Sequence, residues 1–122
     1  MNAQPWNTEP DQRHWRTRAG LMATVRRHLH MRFLCGYVEA PEELVVDALA
    51  LDVHGGITWD ENEYPIDTEV VTGVRVLGFD CGHAGDAIPA PWFPYPDATY
   101  RTFAYVEAEC ESLAMQIMEQ QQ

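Results

Sequence analysis

Two short glycine-bearing stretches hold most of the residues able to do chemistry, Asp52-Val53-His54-Gly55-Gly56 and Asp80-Cys81-Gly82-His83-Ala84-Gly85-Asp86. In the second, a cysteine and a histidine stand one residue apart. If folding brings the two stretches together, His54, Cys81 and His83 become a candidate zinc set, with Cys35 or Cys110 available to close a tetrahedron. The spacing departs from the paired-cysteine knuckles of structural zinc sites. The same residues have the types needed for nucleophilic catalysis, with Cys81 as thiol, His54 or His83 as base, and Asp52, Asp80 or Asp86 as the group that orients the base. A plainer reading stands beside both. In it Cys81 is a small buried hydrophobe, the histidines bond to loop carbonyls, and Asp86 holds a turn.

Both stretches follow expected strands, and strand ends are where a sheet displays functional groups. Apolar residues at alternate positions (Leu29, Met31, Phe33, Cys35, Tyr37) predict a strand over 26–38, bent or turned inside, that buries Leu29 and Phe33. A helical reading before Leu29 aligns Met22, Val25, Leu29 and Phe33 and buries the same two. The diglycine after His54, between β-branched residues, predicts a hairpin of 49–53 with 57–59, and 70–79 reads as a strand interrupted by Gly73. Helices are expected over 11–23, with Trp15 and Ala19 on one face, and over 41–49, where Pro41 and two acids suit a first turn. Prolines 89, 91, 94 and 96 make 84–99 a loop. The clearest element runs from Thr102 as N-cap to about Met118, with Phe103, Val106, Cys110, Leu113 and Ile117 three and four apart. The expected fold is α+β, an antiparallel sheet of about four strands with the C-terminal helix packed on it. Residues 1–122 are expected to form one domain, with 1–10 and 119–122 loosely ordered.

With 122 residues, 46% hydrophobic and 22% charged, the chain can bury roughly 65% of its unfolded surface without a disulfide or metal. No run approaches the ~20 apolar residues of a membrane helix, no secretory signal opens the sequence, and three unpaired cysteines suit a reducing compartment. A cytoplasmic protein is expected. The charge is lopsided: there is no lysine, and six of the eight arginines (Arg13, Arg16, Arg18, Arg26, Arg27, Arg32) face only Glu9 and Asp11 in the first 32 residues. The remainder carries 17 acids against Arg75 and Arg101, and the whole has a net charge of −11. Such a chain repels nucleic acid and membrane surfaces and attracts a basic protein partner; solubility alone is the simpler reading of the same excess. The densest carboxylates are Asp60, Glu61, Glu63, Asp67 and Glu69. Trp92, Phe93 and Tyr95 either cap the core or offer apolar anchors to a partner. His28 and His30, among arginines, read as a solvated face or an anion-binding patch.

Four phrases in order, Cys35-Gly36-Tyr37-Val38-Glu39-Ala40-Pro41, Val53-His54-Gly55-Gly56-Ile57-Thr58, Leu77-Gly78-Phe79-Asp80-Cys81-Gly82-His83-Ala84-Gly85-Asp86 and Tyr105-Val106-Glu107-Ala108-Glu109-Cys110-Glu111-Ser112-Leu113-Ala114, resemble a family of small uncharacterised phage and prophage proteins. The resemblance spans residues 33–117. It implies a mobile-element origin and carries no catalytic roles. Small acidic phage-borne proteins of this kind include inhibitors of host defence, anti-CRISPR proteins among them. The leading expectation is therefore an inhibitor without a cofactor that binds a basic, nucleic-acid-handling surface of a host defence complex. Its contact would be Asp60, Glu61, Glu63, Asp67 and Glu69, anchored by Trp92, Phe93 and Tyr95. Two alternatives stand: a small zinc- or thiol-dependent hydrolase using His54, Cys81 and His83 with Asp86, and a nucleotide-signal sequestering protein using the glycine turns and the arginines.

Overall fold

A computed structural model describes residues 4–89 and 97–122. Five strands, β1 (Gln12–Arg16), β2 (Met22–Arg27), β3 (Leu34–Ala40), β4 (Trp59–Glu61) and β5 (Arg75–Asp80), form one antiparallel sheet in the order β1-β2-β3-β5-β4. One helix, α1 (Phe103–Glu119), packs on β2 and β3. This is the expected α+β architecture, with five strands where about four were expected.

The additional strand comes from the segment expected to be a helix over 11–23. Gln12 to Arg16 pair with Arg26 to Met22, and the reversal between them is closed by Gly20 N–H to the Thr17 carbonyl at 2.9 Å. The helical spacing of Trp15 and Ala19 yields here to a turn, because an isolated helix of this length is marginal in water whereas pairing on β2 joins the segment to the sheet. A second reversal splits the expected strand 26–38. His28 Nδ1 accepts the amides of His30 and Met31, at 3.2 and 3.1 Å, and Arg32 takes a left-handed φ of 66°. The turn leaves Leu29 61% exposed, against the expectation that it is buried, whereas Phe33 is partly buried against the sheet.

Residues 41–53 form neither the expected helix over 41–49 nor the first arm of the expected hairpin. Only a turn at Pro41 and a short 3-10 turn at Ala48–Ala50 are regular. Side-chain amides on α1 and just after it take the place of a ladder. Gln116 brackets the backbone of Asp52, Gln120 that of Asp47, and Gln121 that of Val45, each accepting an N–H and donating to the same residue's carbonyl at 2.7 to 3.1 Å. With 49–53 held on the helix, 59–61 pairs with β5 instead. These contacts also tie down the expected loose C-terminus. The described part of the N-terminus is held too: Glu9 accepts from Arg27, from the Tyr100 hydroxyl and from the Phe103 amide at the start of α1, where a carboxylate is favoured by the helix dipole. Thr102 caps α1 as expected, accepting the Tyr105 amide at 3.1 Å.

Residues alternate across β3. Leu34, Val38 and Ala40 join Val25, Leu77 and Phe79 beneath Val106, Cys110, Leu113 and Ile117 of α1, while Cys35 and Tyr37 join Val76 and Tyr64 on the opposite face. Two glycines make room for cross-strand aromatics. Gly36 faces Phe79 on the helix side, and Gly78 faces Tyr37 on the other, in adjacent registers.

Candidate functional site

The turn that follows β5 is built by its own carboxylates. Asp80 Oδ1 accepts the Gly82 amide at 3.0 Å, Asp86 Oδ2 accepts the His83 amide at 3.1 Å, and the Asp86 amide returns to the His83 carbonyl at 3.0 Å. Two amides of the glycine-rich turn, those of Gly82 and His83, are thus paired with carboxylates and not open to an anion. The turn's far side is fixed by the bridge of Asp86 with Thr99.

Beside it stands the turn of His54. Its amide donates to Glu109 of α1 at 2.8 Å, and its ring meets two groups: Nε2 lies 2.8 and 2.9 Å from the two Asp86 oxygens, and Nδ1 lies 2.9 Å from the Tyr105 hydroxyl. An ionised carboxylate only accepts, so these partners place the proton on Nε2 and make Nδ1 the acceptor for Tyr105. Arg101 Nε donates to Asp86 Oδ1 at 3.0 Å. Burial acts to raise the Asp86 carboxyl, but the hydrogen bonds from His54, Arg101 and the His83 amide outweigh it and hold the group below its ordinary value. His83 Nδ1 lies 3.0 Å from the Asp80 carbonyl, so it is the donor there and its Nε2 keeps a free lone pair.

Of the residues singled out for catalysis or metal binding, His54, His83 and Asp86 therefore meet, each offering one ligand atom within 4.8 Å of the others. Cys81 does not join them as nucleophile or ligand. It is 2% exposed, lies in the core beneath α1, and burial pushes its thiol upward, with Asp86 adding to the effect. A thiol in that position is no ready nucleophile. Cys110 is likewise raised by burial, and burial pushes Cys35 up to about 11. Asp52 is exposed and engaged at its backbone by Gln116, away from the histidines' hydrogen bonds. The sequence reading missed Arg101, Tyr105 and Glu109; the i, i+4 spacing of Tyr105 and Glu109 on one helix face was the available signal.

The approach of the two histidines depends on Gly55. It has a φ of 71°, and a Cβ there would lie 2.5 Å from His83 Cε1. Gly55→Ala is expected to cost about 1–3 kcal/mol and to push the His83 ring away. A thermal melt and the His83 imidazole resonances check this; an unchanged melt and spectrum would contradict the placement.

The acidic segment divides in two. Asp60 is held in a two-bond pair by Arg75, at 2.7 and 2.8 Å, and that pairing keeps its carboxyl below the ordinary value; Asp67 is held by Arg26 at 2.8 Å. Glu61, Glu63 and Glu69 are exposed and make no ion pair among the described residues. Ile66 and Val71, not singled out from sequence, stand fully exposed in the same segment. Trp92, Phe93 and Tyr95 lie outside the described residues.

The basic N-terminal segment is largely spent on internal pairing. Arg13 bonds Glu107, Arg27 bonds Glu9 and Asp11, and Arg32 bonds Asp11. His28, read from sequence as part of a solvated face or an anion-binding patch, is a turn acceptor, and burial followed by the charge of Arg26 lowers its affinity for a proton. No helix among the described residues is long and apolar enough to cross a membrane. Neither a family model, nor a curated protein, nor a solved structure matches the chain.

Proposed function

We propose that the protein is a phage-type, anti-CRISPR-like accessory inhibitor of a host defence system, acting inside the bacterial cell by covering a basic, nucleic-acid-handling surface of the defence complex. The observation that supports this reading is the segment 61–71, where Glu61, Glu63 and Glu69 stand unpaired among the described residues beside the exposed Ile66 and Val71. Carboxylates steer a basic partner and set the salt dependence of association, and apolar side chains among them supply the desolvated contact that charge alone does not. Compared with the five acids expected from sequence, the contact narrows to three, because Arg75 and Arg26 already occupy Asp60 and Asp67. The nucleotide-sequestering alternative loses support on two counts: most arginines are paired with acids, and the Gly82 and His83 amides of the glycine turn already bond carboxylates.

The test is phage plating on bacteria that carry a nucleic-acid-targeting defence, with and without the protein. Wild type is expected to restore plating, and the triple variant Glu61→Gln, Glu63→Gln, Glu69→Gln to weaken capture of the target about tenfold or more, with a flatter salt dependence. The same acids sit on and beyond the edge strand β4 and also discourage edge-to-edge pairing, so the variant's solubility is measured in parallel. A soluble triple variant that inhibits as well as wild type would sink the proposal.

A further inference from the structure

Three side chains from two separate turns converge where no hydrophobic packing requires them. Asp86, with a side chain 1% exposed, places both oxygens within 2.9 Å of His54 Nε2, and His83 closes the group, with a ring 6.3 Å from the His54 ring, centroid to centroid. Tetrahedral zinc with nitrogen and oxygen ligands at its usual bond lengths sets those ligand atoms about 3.4 Å apart. The His54–Asp86 contact, now a hydrogen bond of 2.8 to 2.9 Å, has to open by about 0.5 Å to reach that spacing, and the ligand nitrogen of His83, within 4.8 Å, has to close by no more than about 1.4 Å. The surroundings are those that orient metal-ligating histidines. The Asp80 carbonyl fixes His83 through Nδ1 and leaves Nε2 free, and Tyr105 sits on Nδ1 of His54, so each ring has its outer nitrogen engaged by a fixed group.

We propose that His54, His83 and Asp86 form a three-ligand site for a borderline divalent cation of the zinc class, with a fourth position open to water. The ligand set differs from the one read from sequence in that Asp86 takes the place of Cys81. Two imidazoles and a carboxylate suit zinc, cobalt or nickel, whereas calcium and magnesium favour oxygen-only cages. Metal binding at Nε2 takes the other neutral tautomer of His54: the ring's one proton moves from Nε2 to Nδ1, where the Tyr105 hydroxyl turns to accept it, and the ring loses no net proton. Arg101 is the one cation bonded to Asp86 among the described residues. Its side chain is 31% exposed, so it can withdraw into solvent when a divalent charge arrives.

The experiment is equilibrium dialysis of chelator-stripped full-length protein against Zn2+ with elemental analysis, and then Co2+ as a spectroscopic substitute. One Zn2+ per chain is expected. The Co2+ form should show tetrahedral visible absorption without a thiolate charge-transfer band, and Co2+ should perturb the imidazole resonances of His54 and His83 but not those of His14 or His30. His83→Gln, whose ring is partly exposed, should bind at least about 100-fold more weakly and Tyr105→Phe about tenfold more weakly, whereas Arg101→Gln should bind more tightly because a like charge is gone. An Arg101 with a merely structural role would move affinity the other way. No stoichiometric zinc in wild type, a thiolate band, or undiminished binding by His83→Gln would overturn the site. The wild-type Co2+ spectrum decides the matter even if a variant fails to fold.

Discussion

Phe79→Ala is expected to lower the stability of the fold by about 3–5 kcal/mol, a large share of the 5–15 kcal/mol that holds a domain of this size together. Phe79 is 1% exposed, sits on β5 in register with Gly36 of β3, and fills the space between that glycine and α1. Truncation leaves a void bounded by a strand that has no side chain at Gly36 to collapse into it. A fall in Tm of roughly 10–20 °C in thermal unfolding follows from a loss of that size. The neighbouring glycine gives the argument a second handle. A Cβ at Gly36 would lie 2.5 Å from Phe79 Cζ and 2.8 Å from Cys110 Sγ, so Gly36→Ala alone should overpack the site and cost about 1–3 kcal/mol. In the Phe79→Ala background the same methyl enters vacated space and most of its cost should vanish, a coupling of about 1–3 kcal/mol. Additive losses in the double variant would mean that Gly36 does not lie under Phe79.

Asp86→Asn is the second large effect expected, at about 3 kcal/mol. The carboxylate is almost wholly buried and serves His54, Arg101 and the His83 amide at once. Asparagine keeps the volume, but it offers one acceptor oxygen where two are used, leaves Arg101 without its counter-charge and gives the His54 ring a weaker acceptor. The lower end of the range for breaking a buried pair applies, because Arg101 retains access to water. The pH dependence carries a distinct signature. A carboxyl held below its ordinary value in the folded state contributes stability that is fully present above the unfolded value of about 3.9, and this contribution is lost as pH falls through the folded value. Wild type should therefore lose part of its advantage over Asp86→Asn in unfolding experiments as pH drops below about 4. A constant difference between the two proteins across that range would show that the carboxylate is not paired as described.

Several of the sequence expectations failed at one kind of place, a tight reversal between strands that are neighbours along the chain. Residues 11–23 have a helical spacing of Trp15 and Ala19, yet their backbone groups are satisfied by β2. Leu29 fits an alternating strand pattern, but the His28-capped turn leaves it in solvent. Both cases pit a local pattern against a reversal that joins neighbouring strands, and three or four residues of turn carry little signal in composition.

What the sequence determined by itself are the features set by near neighbours. The helix over 103–119 was legible because apolar residues three and four apart make one buried stripe, and because a threonine just before them can accept an orphan amide. The α+β class, the likeness of Cys110 to a packing residue and the excess of acid were legible for the same reason. Tertiary structure alone decided the pairing of the two glycine stretches, the exclusion of Cys81 from the group that His54, His83 and Asp86 form, and the role of the polar side of α1. Tyr105, Glu109 and Gln116 of α1, with Gln120 just after it, hold the His54 turn and backbone groups of Asp47 and Asp52 in place. A hydrogen bond between residues more than 50 positions apart leaves no period in the sequence, since each partner is an ordinary polar residue until the chain brings the other within 3 Å.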